Sequence, residues 1–140
     1  MQTTTRERRD VRSLARHEVM GLIAQFVLGM VEAGIGQPSE TTGGARTASI
    51  VFLALHVLLA VGLVAGAVMI ILAARGVEGS RRMLAHWGAL VVVLTFAAGV
   101  VTTITRSSAW SYAMAAGFAV SLVLYLVLLV TAGTPAQQPD

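Results

Sequence analysis

Four long apolar stretches constrain the fold of this chain more than any other feature of its sequence. Each holds about 20 residues or more, which at about 1.5 Å per residue is enough for a helix to cross a hydrocarbon core of about 30 Å. Because a bilayer cannot satisfy an exposed backbone, and the stretches lack the alternation of strands, we expect helices. The four predicted helices span about 18–36, 48–74, 84–105 and 109–132.

The composition agrees with a membrane environment. Of the 140 residues, 56% are hydrophobic and only 12% are charged, whereas a soluble domain carries about 25% charged residues. The length allows one domain. We therefore predict an all-α integral membrane four-helix bundle, up-down-up-down, over residues 18–132, with an Arg-rich tail over 1–17 and a disordered tail over 133–140.

Arginine is unevenly distributed between the two sides of the predicted bundle. Five arginines precede the first helix, and Arg75, Arg81 and Arg82 lie in the second connection, whereas the other connections hold only Arg46 and Arg106. Because basic residues accumulate in cytoplasmic loops, both termini and the second connection are predicted to be cytoplasmic. The use of arginine without lysine, with abundant Ala, Val and Gly, suggests a GC-rich genome, so the predicted location is a bacterial plasma membrane.

The first apolar stretch has a second interpretation as a signal peptide, because a basic segment precedes it and small residues lie near its end. However, Gln25 and Glu32 interrupt its apolar core, and no Ala-x-Ala cleavage site follows. The retained helix is therefore the favoured interpretation.

The sequence argues against several functional classes. The net charge of +3 could suit nucleic acid, but no aromatic residues are interleaved with the arginines, so no nucleic-acid partner is predicted. The chain has no cysteine, which excludes disulfides and thiolate metal sites. It also lacks a Ser-His-Asp set, a phosphate-binding glycine loop and a His-Glu-x-x-His sequence. We predict no catalytic residue and no metal site.

Small and hydroxyl residues recur at three- and four-residue steps along the predicted helices. Small residues let helices approach closely, and Thr or Gln side chains can form hydrogen bonds across the interface. The predicted packing positions are Gly21, Gln25, Gly29, Gly62, Gly66, Gly88, Thr95, Gly99 and Thr102.

A weak internal repeat accompanies this pattern. The segments 22–31 and 92–101 align at an offset of seventy residues, which pairs Gly29 with Gly99. Two tandem helical hairpins would pack as a pseudo-twofold bundle.

Glu32 and His56 are the polar residues that most suggest chemistry, because polar side chains inside a membrane are costly and often functional. Both are predicted to lie toward the outer side, on the first and second helices. If they point inward, they could form one hydrogen-bonded pair. Such a pair could lock the first hairpin, handle protons, or supply a metal or haem ligand.

Three further residues are weaker candidates for ligands. Met114 lies a few residues into the fourth helix, near the expected level of His56, and a Met there either fills a gap or binds iron. His17 and His86 both lie near the predicted cytoplasmic boundary, where they are either solvated or joint ligands.

Three sequence features resemble a known family. The segment 21–36 contains a Gln-x-x-Leu-Gly pattern that begins at Gln25, His56 lies early in the second helix, and 94–101 reads LTFAAGVV. In these features the chain resembles one half of haem A synthase, whose eight helices form two related four-helix bundles. The resemblance implies a four-helix haem-family fold and a haem ligand at His56.

The chain departs from that family at the second ligand. The family's second axial His is missing from 109–118, and Leu53 replaces its acidic residue before the helix-two His. His56 with Met114 is the remaining axial pair, since Met/His ligation occurs in cytochromes. The resemblance therefore leaves b-type haem open as a cofactor.

The sequence supports three hypotheses about function. The first is a non-catalytic accessory, assembly or oligomeric bundle, with the lipid bilayer, a membrane-protein partner or further copies of the chain as its partners. The second is a haem-binding redox or haem-handling protein that uses His56. The third is a proton-coupled transport element that uses Glu32.

Overall fold

The protein is an all-α bundle of four long helices. A computed structural model describes residues 2–77, 79–105 and 107–133, with side chains from residue 10 onward. The described part contains no strand. Its helices are α1 (Gln2–Ile35), α2 (Gly43–Ala73), α3 (Ser80–Thr105) and α4 (Ser108–Gly133), and one 3-10 turn, Ala74–Gly76, follows α2. The predicted fold class is confirmed.

The helices are arranged up-down-up-down around a closed bundle. Each helix packs against its neighbours in sequence, and α1 also packs against α4. In the described residues, α1 and α3 are therefore diagonal, as are α2 and α4. We call the end that carries residue 10, the α2–α3 connection and Gly133 the base, and the end that carries the α1–α2 and α3–α4 connections the top.

All four helices are long and apolar enough to cross a membrane. The candidate spans are Asp10–Ile35, Gly43–Gly76, Ser80–Thr105 and Ser108–Gly133. Many large apolar side chains point outward, so that Ile104 is 76% and Val130 69% exposed. A soluble protein rarely exposes so much contiguous apolar surface. The chain is a small polytopic membrane protein.

The first helix begins well before the position expected from hydropathy, at Gln2 rather than near residue 18. Val11 and Ala15 are buried, whereas Arg12 and Arg16, which directly follow them, are exposed. Apolar residues at a four-residue spacing pack this turn against the bundle. The arginines of the same turn lower its average hydropathy, so the average does not detect this pattern. The predicted disordered tail lies outside the described residues, apart from Gly133.

The two hairpins bury equivalent positions, as the weak sequence repeat suggested. At an offset of 70 between α1 and α3, and of 58 between α2 and α4, buried residues coincide. The pairs are Ala15 with Ala85, Val19 with Ala89, Leu22 with Val92, Leu63 with Ser121, Ala67 with Tyr125, Ile70 with Leu128, and Ala74 with Ala132. The bundle therefore has a pseudo-twofold pattern of burial, and this pattern gives each polar residue a counterpart in the other hairpin.

Candidate functional site

The structure brings Glu32 and His56 together near the top of the bundle. Glu32 Oε2 lies 3.8 Å from His56 Nδ1, and the two side chains are 23% and 20% exposed. The imidazole packs on Gly29, where an added Cβ would lie 3.2 Å from His56 Cε1. Because Gly29 has no side chain, α2 approaches closely enough for His56 to reach the carboxylate.

The end of α1 holds Glu32 in place. The helix ends at Ile35, and Gly36 adopts a positive φ of 90°, a conformation that favours glycine after a helix. The Gly36 N–H donates to the Glu32 carbonyl at 3.0 Å. The Ser49 hydroxyl of α2 donates to the Gly36 carbonyl at 2.6 Å. A hydrogen bond therefore links α1 and α2 above the level of the pair.

A second group of polar side chains lies deep in the lower half of the bundle. Glu18 is only 4% exposed, and its Oε2 lies where an added Cβ on Gly66 of α2 would be placed. Tyr125 of α4 is 0% exposed and packs on Gly88 of α3, whose added Cβ would lie 3.0 Å from Tyr125 Cζ. Tyr125 lies within electrostatic range of the Glu18 carboxyl.

Gln25 and Ser121 lie between these two groups. Gln25 is seven residues from both Glu18 and Glu32 on α1, which is about 10 Å along the axis in each direction. Ser121 is fully buried one turn above Tyr125 on α4. We call these six residues the polar track: Glu18, Gln25, Glu32, His56, Ser121 and Tyr125.

Five side-chain atoms of the polar track are buried without a hydrogen-bond partner among the residues that the structure describes. They are Glu18 Oε1, Gln25 Oε1, His56 Nδ1, Ser121 Oγ and Tyr125 Oη. Leaving such a group unsatisfied costs about 1–3 kcal/mol, so five together rival a typical folding free energy of about 5–15 kcal/mol. Groups of this kind are satisfied by buried water or by a bound proton or ion. These five atoms therefore need a partner other than the described side chains.

Only the upper half of the track, Glu32 with His56, was predicted from the sequence as a site. Glu18, Ser121 and Tyr125 were not predicted as site residues. A signal for Glu18 was present, because Glu18, Gln25 and Glu32 are spaced by seven residues and so share one helix face. No comparable signal marks Ser121 or Tyr125.

The arrangement does not fit haem held by His56 and Met114. His56 packs on Gly29 of α1, and Met114 packs on α3, where its Sδ lies 3.3 Å from an added Cβ on Gly99. The two side chains thus occupy different helix interfaces.

His17 and His86 are exposed on diagonal helices, and each forms a hydrogen bond with its own helix. His17 Nδ1 lies 2.8 Å from the Ser13 carbonyl, and His86 Nδ1 lies 2.7 Å from the Arg82 carbonyl. This geometry does not suit a joint ligand pair. Among the residues with described side chains, no three His, Asp or Glu side chains are grouped for a metal ion.

The predicted packing positions divide into three kinds. Gly21, like the glycines already described, receives a side chain from a neighbouring helix, in this case Leu63. Gly62 has no heavy atom within 4 Å of an added Cβ and faces outward. The hydroxyls of Thr95 and Thr102 donate to the carbonyls of Val91 and Ala98, at 2.7 and 2.8 Å. The hydrogen bonds of these threonines are therefore within α3 rather than across an interface as we expected, although the Thr95 side chain packs on Gly117 of α4.

Fold and site together define an integral membrane four-helix bundle with an internal polar track. No protein-family model, curated protein or solved structure matches the chain.

Proposed function

We propose that this chain is a proton-handling membrane protein, in which the polar track carries protons along the axis of the bundle. The observation that carries the proposal is the set of five buried polar atoms without partners on α1, α2 and α4. Ionisable residues inside a membrane commonly mark proton relays or substrate paths. We further propose a bacterial plasma membrane, with the base on the cytoplasmic side.

The Glu32–His56 pair supplies the proton acceptor at the top. At 3.8 Å the two atoms are in ionic contact, and a small side-chain rotation brings them to a hydrogen-bond distance of about 2.7–3.2 Å. Carboxylate and imidazole side chains are both groups that can accept and release a proton. A proton that binds to Glu32 Oε2 can thus pass to His56 Nδ1 without a large movement.

The lower half of the track supplies the second acceptor. Glu18 and Glu32 are fourteen residues apart on α1, which is about 21 Å, too far for direct transfer. Gln25 and Ser121 offer polar atoms at intermediate levels, where water can connect them. Glu18 then receives the proton beside Tyr125 in the lower half of the bundle.

The hairpin repeat supports a functional origin for the polar side chains. At the offset of 70, Thr95 is the counterpart of Gln25 and Gly88 the counterpart of Glu18, and the members of each pair share the same burial class. The third helix therefore has no ionisable or amide side chain at the positions equivalent to Gln25 and Glu18. Packing alone does not require the ionisable or amide groups of the first hairpin.

Proton flux into liposomes tests the proposal. Purified protein is reconstituted around an internal pH-sensitive dye, and a potassium diffusion potential drives protons inward. We expect flux above that of protein-free liposomes, lowered about tenfold or more in Glu32→Gln, since positioned acid–base groups contribute at least that much to proton transfer. Glu40→Gln is the matched control, because Glu40 is exposed in the α1–α2 connection, and it should leave the flux unchanged.

Three results would contradict the proposal. Wild-type flux equal to that of empty liposomes, or equal flux in Glu32→Gln and wild type, would favour an accessory or oligomeric bundle whose polar atoms hold the helices together. A Soret band in protein expressed with ample haem, abolished by His56→Ala, would favour the haem function and a relationship to haem A synthase.

A further inference from the structure

A shallow groove runs along the outside of the bundle at its base, between α1 and α4. Its upper part is apolar and its lower part is basic. The lining residues are Arg12, Ser13, Arg16, His17, Val19, Met20 and Leu129. The groove lies outside the polar track and is not used by the proposed proton path.

The two arginines are placed to act together. Arg12 and Arg16 are four residues apart, so they lie on one face of α1, and both are exposed. The Arg12 guanidinium reaches across to the end of α4, where its Cζ lies 3.2 Å from an added Cβ on Gly133. Among the described side chains, neither arginine lies within ion-pair distance of a carboxylate. Within the described part of the chain, their positive charge is therefore not neutralised by a carboxylate.

The position of the groove relative to the spans indicates the ligand. Arg12 lies two residues inside the end of the Asp10–Ile35 span, which is the level of lipid headgroups. Met20 lies about 12 Å higher along α1, within the apolar part of the span. A ligand that fits has an anionic head at the boundary and an apolar chain pointing into the bilayer.

We infer that this groove binds an anionic phospholipid, with the phosphate held by Arg12 and Arg16 and the first part of an acyl chain lying on Met20 and Leu129. Guanidinium groups bind phosphate oxygens through two parallel hydrogen bonds. This geometry favours specific binding of one headgroup over non-specific electrostatic attraction of anionic lipids. Basic residues at the membrane surface attract anionic lipid.

The hairpin repeat supplies a matched control. At the offset of 70, Arg82 on α3 is the counterpart of Arg12, and both are exposed. Arg82 does not line the groove. Removal of Arg82 changes the net charge by the same amount as removal of Arg12, so it separates a seated lipid from a general effect of charge.

The test uses the full-length protein in phosphatidylcholine vesicles. It measures the preference of the protein for spin-labelled phosphatidylglycerol over spin-labelled phosphatidylcholine. We expect the preference to fall about fivefold for each arginine removed in Arg12→Gln and Arg16→Gln, from about 1 kcal/mol per basic residue. Arg82→Gln should retain it. Arg12→Lys should lose part of it, because the charge stays but the paired hydrogen bonds are lost.

Three outcomes would overturn the inference. The first is an equal loss in Arg82→Gln, which would show a response to net charge alone. The second is an unchanged preference in the double variant Arg12→Gln/Arg16→Gln, provided that circular dichroism shows intact helices. The third is release of the lipid by inorganic phosphate beyond the effect of chloride at equal ionic strength, which would show a site for free anions.

Discussion

The contact between Gly88 and Tyr125 permits a quantitative test of the lower half of the polar track. An alanine at Gly88 would place its Cβ 3.0 Å from Cζ and 3.1 Å from Cε1 of Tyr125. The ring is rigid and fully buried, so it cannot turn aside as a flexible side chain would. Overpacking costs about 1–3 kcal/mol, against about 1 kcal/mol gained from the helix preference of Ala over Gly. We expect Gly88→Ala to lower the free energy of unfolding by up to about 2 kcal/mol.

The matched control is Gly62→Ala on α2. An added Cβ on Gly62 meets no heavy atom within 4 Å, so this variant gains the helix preference without crowding. The difference between the two variants isolates the overpacking, and it should be about 1–3 kcal/mol. Denaturant unfolding of the purified protein in detergent micelles, followed by circular dichroism, measures both free energies.

A double-mutant cycle attributes the loss to Tyr125. Tyr125→Leu removes the ring, so Gly88→Ala in that background should cost less, with a coupling energy of about 0.5–3 kcal/mol. The reasoning fails if Gly88→Ala is as stable as Gly62→Ala. It also fails if the effects of Gly88→Ala and Tyr125→Leu simply add.

Two further variants probe the track. Glu18→Met should leave the free energy of unfolding unchanged or raise it by about 1–3 kcal/mol, because an apolar side chain of similar length replaces a buried oxygen without a partner. The same variant should lower the liposome proton flux. A destabilised variant would show that the carboxylate holds the helices together. Gly29→Ala should lower the flux by pushing His56 away from Glu32, since the added Cβ lies 3.2 Å from His56 Cε1. Gly34→Ala, on the same helix with open space around it, should not change the flux.

Helix number and arrangement follow from sequence because they depend on the length of apolar stretches, which is a local property. The start of α1 does not follow in the same way. Val11 and Ala15 pack on the bundle while arginines occupy the exposed face of the same turn. In an average of hydropathy along the sequence, the apolar and the charged residues offset each other. Burial at a helix end depends on the neighbouring helix, which a hydropathy average does not contain.

The site could be predicted only where polar residues interrupt an apolar stretch on adjacent helices. Glu32 and His56 meet this condition, since α1 and α2 form one hairpin. Tyr125 lies in a continuous apolar run of α4 and reads as a core or interfacial residue. Its proximity to Glu18 depends on the packing of α4 against α1, a long-range contact that no spacing in the sequence specifies.

The repeat also explains why the lower half of the track has no motif. In the first hairpin, Glu18 of α1 fills the space left by Gly66 of α2; in the second, Tyr125 of α4 fills the space left by Gly88 of α3. The large side chain thus comes from the first helix in one hairpin and from the second helix in the other. The equivalent positions Glu18 and Gly88 carry residues of opposite size, yet a large side chain fills the bundle near the same depth in both hairpins. A search for repeated residues would therefore miss the pair, whereas a search for glycines that face large polar side chains at equal depth would find it.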